Sequence, residues 1–397
     1  PKMNRLANAI RALSTSDISE DRGFLCKFDA DAVNFTGDLA TIRETALSLP
    51  ALLPSGRVRS LLQAALPEFD VEAALDTCSE TELRILMVHY SFMVQAYVWG
   101  EAAAPEALPR CLAGPIVALS DRLGQPPLLP YSGYVLDNWA KREPGRGITL
   151  ENTRMIQQFL GGQDEAWFVL IHVAIEARAG AALALMPGVV EAARSGDDAG
   201  MRHLLEQMAT VWEGINAIFD RMPERCDPYI YFERVRPYIH GWKDNPALPG
   251  GLRYEGVERF GGAGQAYRGQ TGSQSSIVPA MDALLGVGHA QDPMKAYLDE
   301  LHAYRPPAHR RFIEDLRAES TVRSFVETCA DPALTEAYNA NIQGVADFRS
   351  RHLEYAASYI NRQNRIATGN DTDIGTGGTP FMRYLNKHRD ETQHRPL

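Results

Sequence analysis

The sequence predicts an all-α protein. Apolar residues recur every three or four positions through several long segments, most clearly at 79–98 and 201–222. No stretch of useful length alternates with period two, as a half-buried strand would. Proline and glycine clusters fall between the periodic segments and not inside them. The chain has 397 residues, 45% hydrophobic and 23% charged, enough to bury a large core. That length suggests two or three domains, or one large and one small.

In order along the chain, residues 1–65 mix short helical patterns with loops, and Pro50 to Gly56 interrupts them. Ser79 and Glu82 stand at capping-box spacing before the stripe Leu83, Leu86, Met87, Tyr90, Val94 and Tyr97, and Gly100 ends that helix. A second helix is expected over Leu108–Leu123. The run Gln125-Pro126-Pro127-Leu128-Leu129-Pro130 breaks it and marks the expected boundary between a small domain, 1–125, and a large one, 126–397. Further helices are expected over 131–141, over 151–160, from a cap at Asp164 to about Met186, over 201–222, and over 229–242 around Pro237. Residues 244–276 are glycine-rich and aperiodic, and a loop that long tends to be functional. Helical patterns return at 277–287, 293–303, 308–317, 321–329, 333–360 and 380–391.

The formal net charge of −10 argues against nucleic acid or an anionic membrane as partner. The N-terminal residues lack a long apolar stretch, so no signal peptide is expected. The most apolar segment, Trp167 to Met186, contains His172, Glu176 and Arg178 and reads as a buried helix. Five scattered cysteines without a CxxC pair suggest neither a disulfide framework nor a thiolate zinc site, and a reducing cytoplasm fits.

The candidate chemistry centres on residues 345–360. At helical spacing Val345, Phe348, His352, Tyr355, Tyr359 and Ile360 share an apolar, aromatic face, with Arg349 one turn before His352. An imidazole on such a wall can ligate haem iron, and a neighbouring guanidinium can meet a propionate. On this helix alone, a core histidine bonded to a neighbour is the commoner reading. His172 shares the stripe of Phe168 and also reads first as a core histidine. Arg236, among Tyr229, Tyr231, Phe232, Tyr238 and Trp242, is either a packed cation or a clamp for a carboxylate. Gly375-Thr376-Gly377-Gly378-Thr379 lacks the lysine of a nucleotide loop and is a flap or a plain linker. The ten histidines form no HExxH or paired motif, so zinc is not expected.

Several stretches together resemble the indoleamine 2,3-dioxygenase family. They are Ala96-Tyr97-Val98-Trp99-Gly100, Val135-Leu136-Asp137-Asn138-Trp139, His240-Gly241-Trp242-Lys243-Asp244-Asn245-Pro246, Gly272-Ser273-Gln274-Ser275-Ser276, Pro306-Pro307-Ala308-His309-Arg310, Phe348-Arg349-Ser350-Arg351-His352 and the Gly375 to Thr379 run. The resemblance spans about residues 80–392, in order and with similar spacing. It implies an all-helical fold with a small N-terminal domain and a large domain holding haem b. It also implies insertion of both atoms of O2 across the C2–C3 bond of an indole, giving N-formylkynurenine from tryptophan. Carried over by position, His352 resembles the iron ligand, and Arg349 the arginine near a propionate. Tyr131, Tyr134, Val135 and Phe168 fall where the family lines its indole pocket. Tyr231 matches an aromatic wall, and Arg236 the receiver of the substrate carboxylate. Thr271 and Gly272 sit in the distal loop, and Gly378 and Thr379 in the closing flap. His172 stands where animal members have serine, and a distal imidazole there can bond the indole N–H or the oxygen. That departure, with Tyr134 and Tyr231, leaves a modified or halogenated indole open as substrate. A non-catalytic haem O2 sensor is a further alternative. Nothing in the sequence sets the oligomeric state.

Overall fold

The computed structural model describes residues 10–29, 33–289, 293–365 and 381–397. Helices α1 (Gly37–Leu47), α2 (Leu49–Leu52), α3 (Val58–Ala65) and α4 (Val71–Asp76) surround α5 (Glu80–Trp99) and α6 (Arg110–Leu123). The Ser79 hydroxyl accepts from the Glu82 amide, and the Glu82 carboxylate accepts from the Ser79 amide, the expected capping box. Every residue from Ile85 to Val98 is buried, so α5 is a central helix wrapped on all sides.

Three long helices form the other half of the core. α7 (Gln163–Ser195) packs along α8 (Asp198–Phe219), and α14 (Pro332–Tyr359) packs on α8. A Cβ at Gly344 would lie 2.7 Å from Trp212 Cβ, so glycine there lets α14 and α8 close up. Asn216 Nδ2 donates to Gly344 O at 3.0 Å, and Asn341 Nδ2 to Leu205 O at 2.8 Å. Around this layer lie α9 (Pro228–Ile230), α10 (Ile277–Leu285), α11 (Pro293–His302), α12 (Pro307–Glu319) and α13 (Val322–Cys329), and α15 (Phe381–Gln393) lies on α14. α7 is long and apolar enough to cross a membrane by length and composition, but most of its apolar window is buried inside the fold.

The structure departs from expectation at several elements. Pro187 does not stop α7, which runs nine residues past Met186 to Ser195, because burial between neighbours outweighs one lost backbone bond. Residues 131–141 form only a π-helical turn, Ser132–Leu136, before strand β2 (Trp139–Lys141). β2 pairs antiparallel with β3 (Thr153–Met155), within a span expected to be helical. The other two short strands, β1 (Ala107–Leu108) and β4 (Arg253–Tyr254), pair in parallel. Finally, 229–242 divides into α9, a π turn at Tyr231–Val235 and a 3-10 turn at Arg236–Ile239. π turns are uncommon and concentrate at functional sites.

Candidate active site

A cavity of about 550 Å³ opens between α7, α14, α10 and α15. His352, Arg349 and Phe348 reach it from α14, and His172 and Ile175 from α7. The His352 face is braced by Phe219 of α8, whose ring centroid lies 6.4 Å from the imidazole and 4.9 Å from Phe348. Tyr355 Oη donates to Phe219 O at 2.9 Å, and Tyr359 Oη to Cys226 O at 2.6 Å, which fixes the rotation of α14. Burial pulls the His352 imidazole down to about 4, and the nearby His172 adds to the pull. The ring is therefore neutral near pH 7 and offers a lone pair to the cavity.

On α7, His172 Nδ1 lies 2.7 Å from Phe168 O. A carbonyl only accepts, so Nδ1 carries the hydrogen and Nε2 of the neutral ring is an acceptor. Burial lowers the His172 pKa, which keeps that ring neutral. One turn further, Glu176 Oε1 accepts from Tyr131 Oη at 2.9 Å and from Ser275 Oγ at 2.7 Å. Burial pushes this carboxyl up to about 7, against the two hydroxyl donors.

The loop beyond residue 270 is tethered from two sides. Gln274 Oε1 accepts from the Tyr131 amide at 2.9 Å, and its Nε2 donates to Gly269 O at 3.0 Å. Arg305, itself buried, donates to Ser273 O at 2.8 Å. Across the molecule, α5 holds the turn that carries Arg236: Gln95 Nε2 donates to Tyr238 O at 2.6 Å and Trp99 Nε1 to His240 O at 2.8 Å.

Of the residues singled out in the sequence, Tyr131, His172, Gly272, Arg349 and His352 line the cavity. Phe168, Tyr134 and Tyr231 form an aromatic wall joined to it through His172. Phe168 lies 4.8 Å from His172, 4.7 Å from Tyr231 and 6.4 Å from Tyr134, ring to ring. Val135 is buried beside Tyr134 on the π turn. Arg236 is fully buried, with its guanidinium 5.8 Å from the Phe232 ring and close enough to Tyr231 to act on its hydroxyl. Thr271 caps the short turn at 272–274. Gly378 and Thr379 lie outside the described residues.

Sequence reasoning missed Glu176 and Ser275 beside His172. It also missed Asp282, which takes Arg349 Nη2 at 2.7 Å, and Thr392, which takes Nη1. Only the helical spacing of Glu176 from His172 could have signalled any of them.

The description "IDO: Indoleamine 2,3-dioxygenase" belongs to the family model that matches residues 12–395. This chain belongs to the indoleamine 2,3-dioxygenase family. It is 32% identical to indoleamine 2,3-dioxygenase 1 of Rattus norvegicus, over 96% of this chain and 95% of the relative. It is 31% identical to the Saccharomyces cerevisiae indoleamine 2,3-dioxygenase, over 88% and 86%. It is also 33% identical to indoleamine 2,3-dioxygenase acdA of Aspergillus candidus, over 76% and 78%. As a member of the indoleamine 2,3-dioxygenase family, the chain is a haem-dependent dioxygenase, an oxidoreductase whose cofactor is haem b. Its small-molecule partners are O2 and tryptophan or a related indole.

The site fits that cofactor. A neutral imidazole and a buried guanidinium one helical turn apart share one wall of a largely apolar cavity, the donor set for an iron and for a propionate.

Proposed function

We propose that the enzyme cleaves the C2–C3 bond of the indole ring of L-tryptophan and releases N-formylkynurenine. The observation that carries this reading is the convergence of His352 and His172, from two helices, on one cavity beside Arg349. When bound, haem b supplies the oxygen chemistry. His352 holds the iron, and Arg349 contributes positive charge at the propionate side. His172 Nε2, fixed as an acceptor, takes the indole N–H and so sets the ring's rotation. Tyr131, Tyr134, Val135, Phe168 and Tyr231 supply the apolar wall that excludes water and stacks the indole. Arg236 receives the substrate carboxylate. Thr271 and Gly272 belong to the distal loop, and Gly378 and Thr379, assigned to the amino-acid end of the substrate, lie outside the described residues.

We also propose the division into 1–125 and 126–397. Each residue found lining the cavity lies at 131 or beyond, while α5 from the first part supports that region from behind, through Gln95 on the Arg236 turn, Phe92 stacked 5.9 Å from Tyr134 and Arg84 paired with Asp137. A cytoplasmic location accords with five free cysteines.

A second reading has its own support. The Tyr134 hydroxyl is buried with no hydrogen-bond partner among the described residues, and such a group is costly unless a ligand meets it. A tryptophan carrying a hydrogen-bonding ring substituent, such as a hydroxyl, would satisfy it. Reduced enzyme supplied with O2 and L-tryptophan, 5-hydroxytryptophan, 6-chlorotryptophan, tryptamine or indole, with product mass analysis, separates the two. Highest kcat/KM and N-formylkynurenine from L-tryptophan are expected. Turnover no better than free haem, or unchanged in His352→Ala, overturns both readings.

A further inference from the structure

Beside Arg349 the cavity rim carries a polar cluster that the roles above leave unused. His289 sits between two carboxylates: Nδ1 is 2.5 Å from Glu391 Oε2, and Nε2 is 3.1 Å from Asp282 Oδ2. The same Asp282 oxygen accepts from Arg349. The His388 ring packs on His289, with centroids 4.9 Å apart, and both line the cavity. His388 Nε2 is buried with no hydrogen-bond partner among the described residues. Its environment, chiefly burial, then Arg349 and His289, pulls this imidazole down to about 3, so it is neutral and can keep an N–H at Nε2.

Two ligand chemistries suit such a cluster. His289, His388 and Glu391 offer three atoms within 4.8 Å of one another, which a divalent cation could use. The geometry argues against it. Two ligands on a tetrahedral zinc with bonds of about 2.0–2.1 Å stand roughly 3.3 Å apart, whereas His289 and Glu391 are already in hydrogen-bond contact at 2.5 Å. Arg349, and Lys387 at 3.6 Å from Glu391, also bring positive charge to the cluster. These cations offset the Asp282 and Glu391 carboxylates, so the cluster lacks the net negative charge that favours a divalent cation.

We propose that His388 Nε2–H donates to a haem propionate, with His289 bracing the ring and Arg349 supplying the charge. Arg349 cannot do this alone, because Asp282 and Thr392 already take part of its fork. The role rests on the reading that this cavity takes haem.

The test compares wild type, His388→Phe, which keeps the ring's bulk, and His388→Gln, which keeps an N–H donor. Ferric holoenzyme is mixed with excess apomyoglobin and haem transfer is timed. Resonance Raman reports the propionate bending mode, and bound metal is assayed. The expected result is about tenfold faster haem loss from His388→Phe with an unmoved Soret band, a shifted propionate mode, and substantial rescue in His388→Gln. Equal transfer rates in wild type and His388→Phe overturn the proposal and leave the haem reading intact. Equal acceleration in both variants overturns it in favour of packing alone. Stoichiometric zinc in wild type, lost in His388→Phe, overturns it in favour of a cation site. A wild type that takes up no haemin overturns the haem reading and this proposal together.

Discussion

Tyr131 Oη donates to Glu176 Oε1 at 2.9 Å, and the other oxygen of that carboxyl is buried with no hydrogen-bond partner among the described residues. The bond ties α7 to the π turn that carries the aromatic wall. It also sets a titration. The folded pKa is raised to about 7, above the ordinary carboxyl value of 4.5, chiefly by burial. Between those values the folded state holds a proton that the unfolded state has lost. The resulting stability is complete below about pH 4.5 and disappears as pH rises through 7. Glu176→Gln keeps an acceptor for Tyr131 and Ser275 and removes the titration. Its melting temperature should gain on wild type from pH 5 to pH 8, by the equivalent of about 3 kcal/mol at most. A gap between the two that does not change with pH refutes this account.

Asp282 is the reverse case. Burial pushes its carboxyl up, but Arg349 and His289 outweigh burial and hold it at about 2. The stability it contributes is present above the ordinary value of 3.8 and is lost only as pH falls through 2. Asp282→Ala strands a buried guanidinium and should cost about 3–5 kcal/mol in urea unfolding. That deficit should be larger at pH 5 than at pH 8, because Asp282 also helps hold the His289 pKa above its ordinary 6.5, a stabilisation present below that value and lost as pH rises past the folded one.

His172 presents an acceptor only because Phe168 O occupies its other nitrogen. His172→Ala should therefore lower kcat/KM for L-tryptophan about tenfold, the worth of one hydrogen bond of about 1.4 kcal/mol. For 1-methyltryptophan, which has no indole N–H, the change should be small. Equal losses on both substrates would point to packing.

Arg236→Lys keeps the charge and loses the planar fork. Steady-state kinetics should show KM for L-tryptophan rising about 10- to 100-fold with kcat less affected. Turnover of tryptamine, which lacks the carboxylate, should not follow.

Much of this was legible in the residues. The Ser79 and Glu82 cap, the stripe of α8 and the aromatic face of α14 are local signals, since a helix reports its own period and its own ends. The strands Trp139–Lys141 and Thr153–Met155 are three residues each, too short to display alternation. The two π turns each break the 3.6 period at the positions that carry Tyr134 and Tyr231.

The sequence by itself determined the all-α class, the order of the long helices, the histidine and arginine one turn apart on α14, and the family. Tertiary structure alone decided the partners. Asp282 lies 67 positions from Arg349, Ser275 lies 99 from Glu176, and His388 meets His289 only because α15 folds onto α14. Helical periodicity is encoded within a few residues, whereas the identity of a buried side chain's neighbour depends on which distant surfaces share a core.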